Sequence, residues 1–407
     1  MTLFVFGMLA ASGLGFLKLI ALAHVMAAPD YGQYVSLFGV GSLAGALFSM
    51  GVTERSIKAY PRWWVEGRLD AIRSDAAAAA RTMGLRFTTL ALVGGLVFGF
   101  LDLSLTAIHL LGFVGVGWVT AWLAQAASVY RAAGAQTPLL RFAVARGVLV
   151  AVFAVVGGLY GGWGGALLGD TLAGVVVLGG AVWDLGRVLK TNPSMAPGDV
   201  VVPTPEAAGG HRQLYLANLL SSSTVMLDRA WVGAAMGSTG AGRYGVVMLL
   251  PQVAQLLVNV VVQHIGPLII KRVHLGHLTQ GRLGALNLQS GLMALFALAL
   301  VVAACVAKRV PYLDAFFLKY GVSDWALLWA GVLAAGQVFA VIEFQLIAHD
   351  RETDILWASA SSAVLFVLLF AGVACVGGGV EAFVAAAALS RWWQVVWLRR
   401  AYGRLGV

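Results

Sequence analysis

The sequence predicts an all-α polytopic membrane protein with twelve transmembrane helices in two six-helix lobes. Three observations carry that prediction: the composition, the length of the apolar windows, and an internal repeat. Of the 407 residues, 60% are apolar and only 11% are charged, against about 25% charged in soluble domains. That balance excludes a soluble globule. Apolar windows of roughly 18 residues or more recur along the chain, each long enough to cross about 30 Å of hydrocarbon. They fall near 3–26, 34–53, 82–101, 105–127, 142–161, 164–183, 213–236, 245–269, 288–307, 324–348, 355–376 and 378–398. A membrane strand needs only about ten alternating residues, so windows of this length argue for helices.

The repeat is visible as a constant offset of 210 in residue number. It carries Gly32 to Gly242, Tyr34 to Tyr244, and Lys18 to Asp228, beside Arg229. The chain therefore reads as 1–183, a first six-helix lobe; 184–212, a linker; and 213–407, a second lobe. The linker contains Pro193, Pro197, Pro203 and Pro205 with Gly198, Gly209 and Gly210, the composition of a loop. Six spans is an even number, so both lobes start on the same side, as parallel repeats do.

The first window does not read as a signal peptide. No basic residue precedes its apolar run, which is about twice the usual signal length. The two cysteines, Cys305 and Cys375, both fall in expected spans and read as small apolar packing residues rather than a disulfide or a metal site.

The net charge of +9 reports topology. With the N-terminus inside, twenty of the 27 lysines and arginines fall in inner loops and the C-terminal tail. Only four fall outside: Arg243, Lys308, Arg309 and Lys319. Lys18, Arg229 and Arg391 lie within spans. This positive-inside bias places both termini in the cytoplasm and removes the need for a nucleic-acid partner. Between Thr53 and Arg81, basic residues alternate with Trp63, Trp64, Val65, Leu69 and Ile72, the pattern of a short helix lying in the inner interface. Arg62-Trp63-Trp64 recurs as Arg391-Trp392-Trp393, and both read as interface anchors.

Function is expected where polar groups interrupt apolar spans. A charge at the bilayer centre costs about 3 kcal/mol even on the lenient insertion scale, so Lys18, Asp228 and Arg229 should face a protein interior or a wet cavity. A structural ion pair between Lys18 and Asp228 is the plain alternative; with Arg229 the three still leave one net positive charge. In span eight, Gln252, Gln255, Asn259 and Gln263 fall within about 80° of one another on a helix, forming one amide face. Their counterparts in span two are Ser42, Gly45, Ser49 and Thr53. Either stripe can be a packing seam, since small and amide side chains join membrane helices. Four amides exceed what packing needs and suit a hydrated path or sugar hydroxyls. Asp170, Glu343 and His264 are candidates for ion coupling or for satisfied polar groups at helix crossings. Pro251 should break the ladder at the start of span eight. No phosphate loop, dinucleotide fingerprint or paired-cysteine zinc spacing occurs, so neither a cofactor nor a metal is expected, and the chain does not read as an enzyme.

Three segments resemble a known group. Ala28-Pro29-Asp30-Tyr31-Gly32-Gln33-Tyr34 after span one, Val225-Met226-Leu227-Asp228-Arg229 with Gly242-Arg243-Tyr244, and Tyr130-Arg131-Ala132-Ala133-Gly134 are similar to polysaccharide exporters of the O-antigen flippase type. These belong to the multidrug, oligosaccharidyl-lipid and polysaccharide exporter superfamily. Lys18 departs from the many relatives uncharged at that position. The resemblance implies two lobes in a V around a central cavity, in a bacterial inner membrane. It implies that a polyprenyl-pyrophosphate-linked oligosaccharide is turned from the inner to the outer leaflet by alternating access, alongside other polysaccharide assembly proteins. Lys18 and Arg229 would then hold the pyrophosphate, and the amide face would meet the glycan. Within the same superfamily the alternative is a multidrug or small-molecule antiporter. From another class it is a membrane glycan polymerase or ligase, although the outer loops offer no carboxylate pair for catalysis.

Overall fold

The computed structural model describes residues 2–100, 107–188, 210–256, 258, 269, 311–337 and 339–404. Among these residues the chain is built of helices and turns, without strands. The expected span 288–307, the later part of 245–269 and most of the linker 184–212 lie outside the described residues. The first half comprises α1 (Thr2–Val25), α2 (Ala28–Ser49), α3 (Val52–Val65), α4 (Leu69–Phe100), α5 (Ala107–Ala133) and α6 (Gln136–Val188). The second comprises α7 (Gly210–Met226), α8 (Asp228–Val247), α9 (Pro311–Tyr320), α10 (Asp324–Gln337), α11 (Ala340–Ala348), α12 (Glu352–Cys375) and α13 (Val380–Gly403). Among the described residues, four helical stretches are long and apolar enough to cross a membrane, or five if the bent α2–α3 pair is one span.

The breaks between helices follow local chemistry. Pro29 stands in the first turn of α2, where its missing N–H costs nothing, and Asp30 there complements the helix dipole. At the other end Met50 (φ 47°) and Gly51 (φ 81°) take left-handed conformations, and α3 departs at 68°. The stretch expected to form one short interfacial helix is divided: α3 carries Trp63 and Trp64 and buries Glu54, Ser56 and Tyr60 in the bundle, while Leu69 and Ile72 belong to α4. α3 stops at Val65, and the chain restarts as α4 from Leu69 after Gly67 (φ 71°). α6 holds two of the expected spans, 142–161 and 164–183, folded back on each other at Gly161 and Gly162. Gly162 has φ 57°, a conformation that a side chain disfavours. The two arms touch backbone to backbone: a Cβ at Gly157 would lie 2.1 Å from the Gly165 carbonyl oxygen.

The glycines related by the 210 offset, Gly32 and Gly242, meet in one helix seam. Beyond Gly237 (φ 76°), the second part of α8 mirrors α2, and the two pack against each other between the lobes. A Cβ at Gly32 would meet the Ser238 carbonyl oxygen at 1.9 Å, and one at Gly242 would meet that of Ala28 at 2.2 Å. Only small residues allow helices to approach so closely. The principal buried cluster is shared by the lobes, with Leu22, Tyr31 and Tyr34 from the first packed among Tyr244, Tyr320, Phe370 and Phe383 of the second.

The end of the bundle expected to face outward carries a further clamp. Lys319 of α9 donates from Nζ to the carbonyls of Ala23, His24 and Met26 at 3.1, 3.1 and 2.9 Å, and Tyr320 donates to Ala23 at 2.6 Å. The carbonyls of Ala23 and His24 belong to the last turn of α1, and that of Met26 lies just beyond it, where helix carbonyls have no partner within the helix. At the opposite end the lobes meet through side chains: Tyr215 donates to the Leu47 carbonyl at 2.9 Å, Asn218 to Glu54, and Arg62 pairs with Asp350 at 3.5 Å.

Candidate functional site

The span-interrupting polar groups collect around cavities in the two lobes. In the second lobe, a cavity of about 260 Å³ is walled by α7, α8, the helical residues 249–256, α11 and α13. It brings together Asp228, Arg229, Gln252, Gln255 and Glu343, while Lys18 lines a different cavity. Asn259 and Gln263, the remaining members of the amide face, lie outside the described residues, as does His264. The serines and threonine of α7, Ser221, Ser222 and Thr224, line the same wall.

Asp228 sits where the chain breaks at Leu227 between α7 and α8. Its Oδ1 accepts the backbone N–H of Arg229 at 2.6 Å, and Oδ2 accepts the Tyr244 hydroxyl at 3.0 Å. The carboxylate therefore takes one N–H of the first turn of α8 and ties that turn to the second half of the helix. Arg229 follows at 8% exposure, and its Nε has no hydrogen-bond partner among the described residues. It also lines a smaller cavity of about 230 Å³ between the lobes, with Gln252, Gln255 and Phe38.

Arg391 corrects an expectation. Its Arg-Trp-Trp motif predicts an interface anchor, yet Arg391 is 9% exposed and lines the second-lobe cavity. Its Nε donates to the Gly336 carbonyl at 3.2 Å, and Nη1 donates to Gln394 and stands 3.7 Å from Glu343. Trp392 donates inward to the Val332 carbonyl at 2.8 Å, leaving Trp393 half-exposed on the outside. The wall thus carries two acids and two bases, Asp228 and Glu343 against Arg229 and Arg391. Neither Arg391 nor Gln394 is singled out as a site residue by spacing; the signal was a charge well inside an apolar window.

In the first lobe, a cavity of about 430 Å³ lies between α1, α5 and α6. Lys18 projects from α1 at 5% exposure, and the structure pairs it with Asp170 rather than Asp228. The ammonium lies 3.0 and 3.2 Å from the two oxygens of Asp170, and the Tyr34 hydroxyl donates to the same carboxylate at 2.6 Å. Lys18 also stands 4.7 Å from the Phe38 ring centre. The repeat-related tyrosines thus play one role twice: Tyr34 and Tyr244, both fully buried, each donate to a buried aspartate. The aspartates come from non-equivalent helices, so the offset that pairs Lys18 with Asp228 in sequence does not pair them in space. The polar stripe of α2 is a packing seam, where Gly45 approaches the Gly117 carbonyl oxygen and Ser49 bonds its own helix. Among the described residues no group of acids, histidines and cysteines is arranged to hold a metal ion.

No family model matches the sequence, and no curated protein matches it. Solved structures do. A MATE transporter of Vibrio cholerae, an aspartate-to-asparagine mutant, superposes with a TM-score of 0.68 at 15% identity, over 98% of this chain and 94% of that one. A proline-to-alanine mutant of a MATE transporter gives 0.71 at 14% identity, over 99% and 95%. A transporter of the MOP superfamily from Pyrococcus furiosus, described as having a binding pocket of reverse polarity that suggests a different function, gives 0.67 at 14% identity, over 99% and 94%. By its helices, its two lobes and these superpositions, the chain has the twelve-helix fold of the MATE transporters in the MOP superfamily.

Proposed function

We propose that this protein is a membrane transporter that exports small amphipathic solutes by alternating access between its lobes. The observation that carries this reading is the pair of cavities on either side of the inter-lobe seam, each lined by charged side chains within an otherwise apolar bundle. Cavities of about 260 and 430 Å³ compare with roughly 300–1,000 Å³ for drug-sized ligand sites. That size suits a small solute better than a lipid-linked oligosaccharide. The balanced charges of the second-lobe wall and its amides accept a zwitterion or a neutral polar group as readily as a cation. On this reading the chain resides in the inner membrane with both termini inside, and opening requires the α2–α8 seam and the Lys319 clamp to part.

A specific observation favours a second reading, the turning over of a lipid-linked oligosaccharide. Arg229 is a buried cation with an unpartnered Nε at the meeting point of the cavities, and a guanidinium is well matched to a pyrophosphate. Cells lacking the protein separate the two. Hypersensitivity to amphipathic compounds with intact surface glycan supports the exporter. Loss of surface glycan with unchanged drug sensitivity refutes it and supports the flippase.

A further inference from the structure

We infer that the first-lobe cavity is a binding site for an organic anion with an apolar body, anchored by Arg146. Basic-residue counting places Arg146 among the inner-loop residues, on the cytoplasmic side. The structure places it ten residues into α6, a helix that begins at Gln136, or about 15 Å along its axis. By length and composition, α6 is a membrane-crossing stretch that includes this position. An arginine persists there only when it faces protein or water.

Arg146 faces the cavity. Leu139, Phe142, Ala143, Arg146, Gly147 and Val150 all line it, spaced as one face of a helix. Its side chain is accessible from that space. Among the described residues it makes no ion pair and no side-chain hydrogen bond. The nearby carboxylate, Asp170, is already engaged by Lys18 and Tyr34. Lys18 and Arg146 against Asp170 leave the wall one net positive charge. The remaining lining is largely apolar, with Met8, Leu19, Phe38 and Leu123 among it. A guanidinium at one end of an apolar chamber selects a carboxylate, sulfonate or phosphate ester on a hydrophobic body, because the charged hydrogen bond gains strength away from water. The second-lobe cavity lacks this bias, since its acids and bases balance.

The inference names a substrate class for the exporter, and its test is independent of transport. Full-length protein in phosphatidylcholine nanodiscs is dialysed to equilibrium against naphthalene-2-sulfonate, 2-naphthylmethylammonium or 2-methylnaphthalene, with empty nanodiscs subtracted. The sulfonate should bind best. Arg146→Gln should weaken it about ten- to a hundredfold, and Arg146→Lys should keep part of the affinity. Gly15 lines the same cavity and a Cβ there meets nothing within 4 Å, so Gly15→Leu should fold normally and weaken all three probes by occupying the space. Equal affinity for sulfonate and ammonium, or sulfonate binding untouched by both Arg146→Gln and Gly15→Leu, overturns the inference. Native mass spectrometry identifies the source of the anion. Phosphatidylglycerol retained by the wild type and lost in Arg146→Gln assigns the site to an anionic lipid; sulfonate binding without retained lipid assigns it to a soluble solute. Anion binding without export from vesicles refutes the transporter reading and leaves this site standing, whereas export without anion binding does the reverse.

Discussion

Removing Asp170 should destabilise the protein more than removing Asp170 and Lys18 together. The two side chains are 4% and 5% exposed and lie 3.0 Å apart. At an effective dielectric constant near 20, that separation corresponds to an attraction of about 5–6 kcal/mol before desolvation is counted. Taking both charges out of water offsets much of it, so the pair itself adds little. Deleting one partner is different, because the other is left buried and uncompensated at a cost of about 3–5 kcal/mol. Asp170→Leu also orphans the fully buried Tyr34 hydroxyl, about 1–3 kcal/mol more. The Phe38 ring 4.7 Å from Lys18 is there with or without Asp170, so it does not replace the lost counter-charge. Asp170→Leu, Lys18→Met and the double variant, heated in nanodiscs and followed by tryptophan fluorescence, should rank with the double variant above Asp170→Leu. An Asp170→Leu protein as stable as the wild type, or a double variant weaker than both singles, refutes the buried-pair account.

Other consequences follow from the seam and the walls. Gly32→Leu and Gly242→Leu each place carbon within about 2 Å of a facing carbonyl, so each should hold the seam apart and reduce export at least tenfold while the protein remains in the membrane, as read by efflux and immunoblot. Lys319→Met removes the donor to three carbonyls at the end of α1; in a background lacking Cys305 and Cys375, a cysteine at Ala241 should then react faster with a thiol reagent added from outside. Arg391→Leu leaves Glu343 and Gln394 without their shared partner in the cavity wall and should lower the apparent melting temperature, with Glu343→Gln restoring part of the loss. Gly162→Val strains the left-handed turn between the arms of α6 (φ 57°) by about 1–3 kcal/mol and should reduce the yield of folded protein.

The fold was legible because membrane physics writes itself in one dimension. Apolar windows of spanning length mark helices whatever they pack against, and Gly32 with Gly242 marked the repeat because the same close approach is needed in both copies. The turn inside α6 lies where the window 142–161 ends, at Gly161 and Gly162, just before the window 164–183. Pairing across helices was not legible. Lys18 meets Asp170, 152 residues away, and nothing in local spacing distinguishes that partner from Asp228. Arg391 misled because an Arg-Trp-Trp motif describes an interface anchor equally well when its arginine turns inward to Gly336 and Glu343. Arg146 was hidden by window boundaries, as a shift of a few residues decides whether an arginine is in a loop or inside a chamber. The superfamily resemblance led to the right fold. The polysaccharide-flippase specialisation rests on degenerate motifs and on Lys18 and Arg229; of these two cations the structure pairs Lys18 with Asp170 and leaves Arg229 at the cavity wall.

The most direct test is a side-by-side measurement in proteoliposomes. The purified protein is reconstituted once with a fluorescent amphipathic solute in the lumen and once with a fluorescent lipid-linked oligosaccharide in one leaflet, and both signals are followed against protein-free vesicles. The account predicts solute movement that Gly32→Leu abolishes and no acceleration of oligosaccharide turnover. Rapid oligosaccharide turnover with the solute retained contradicts it.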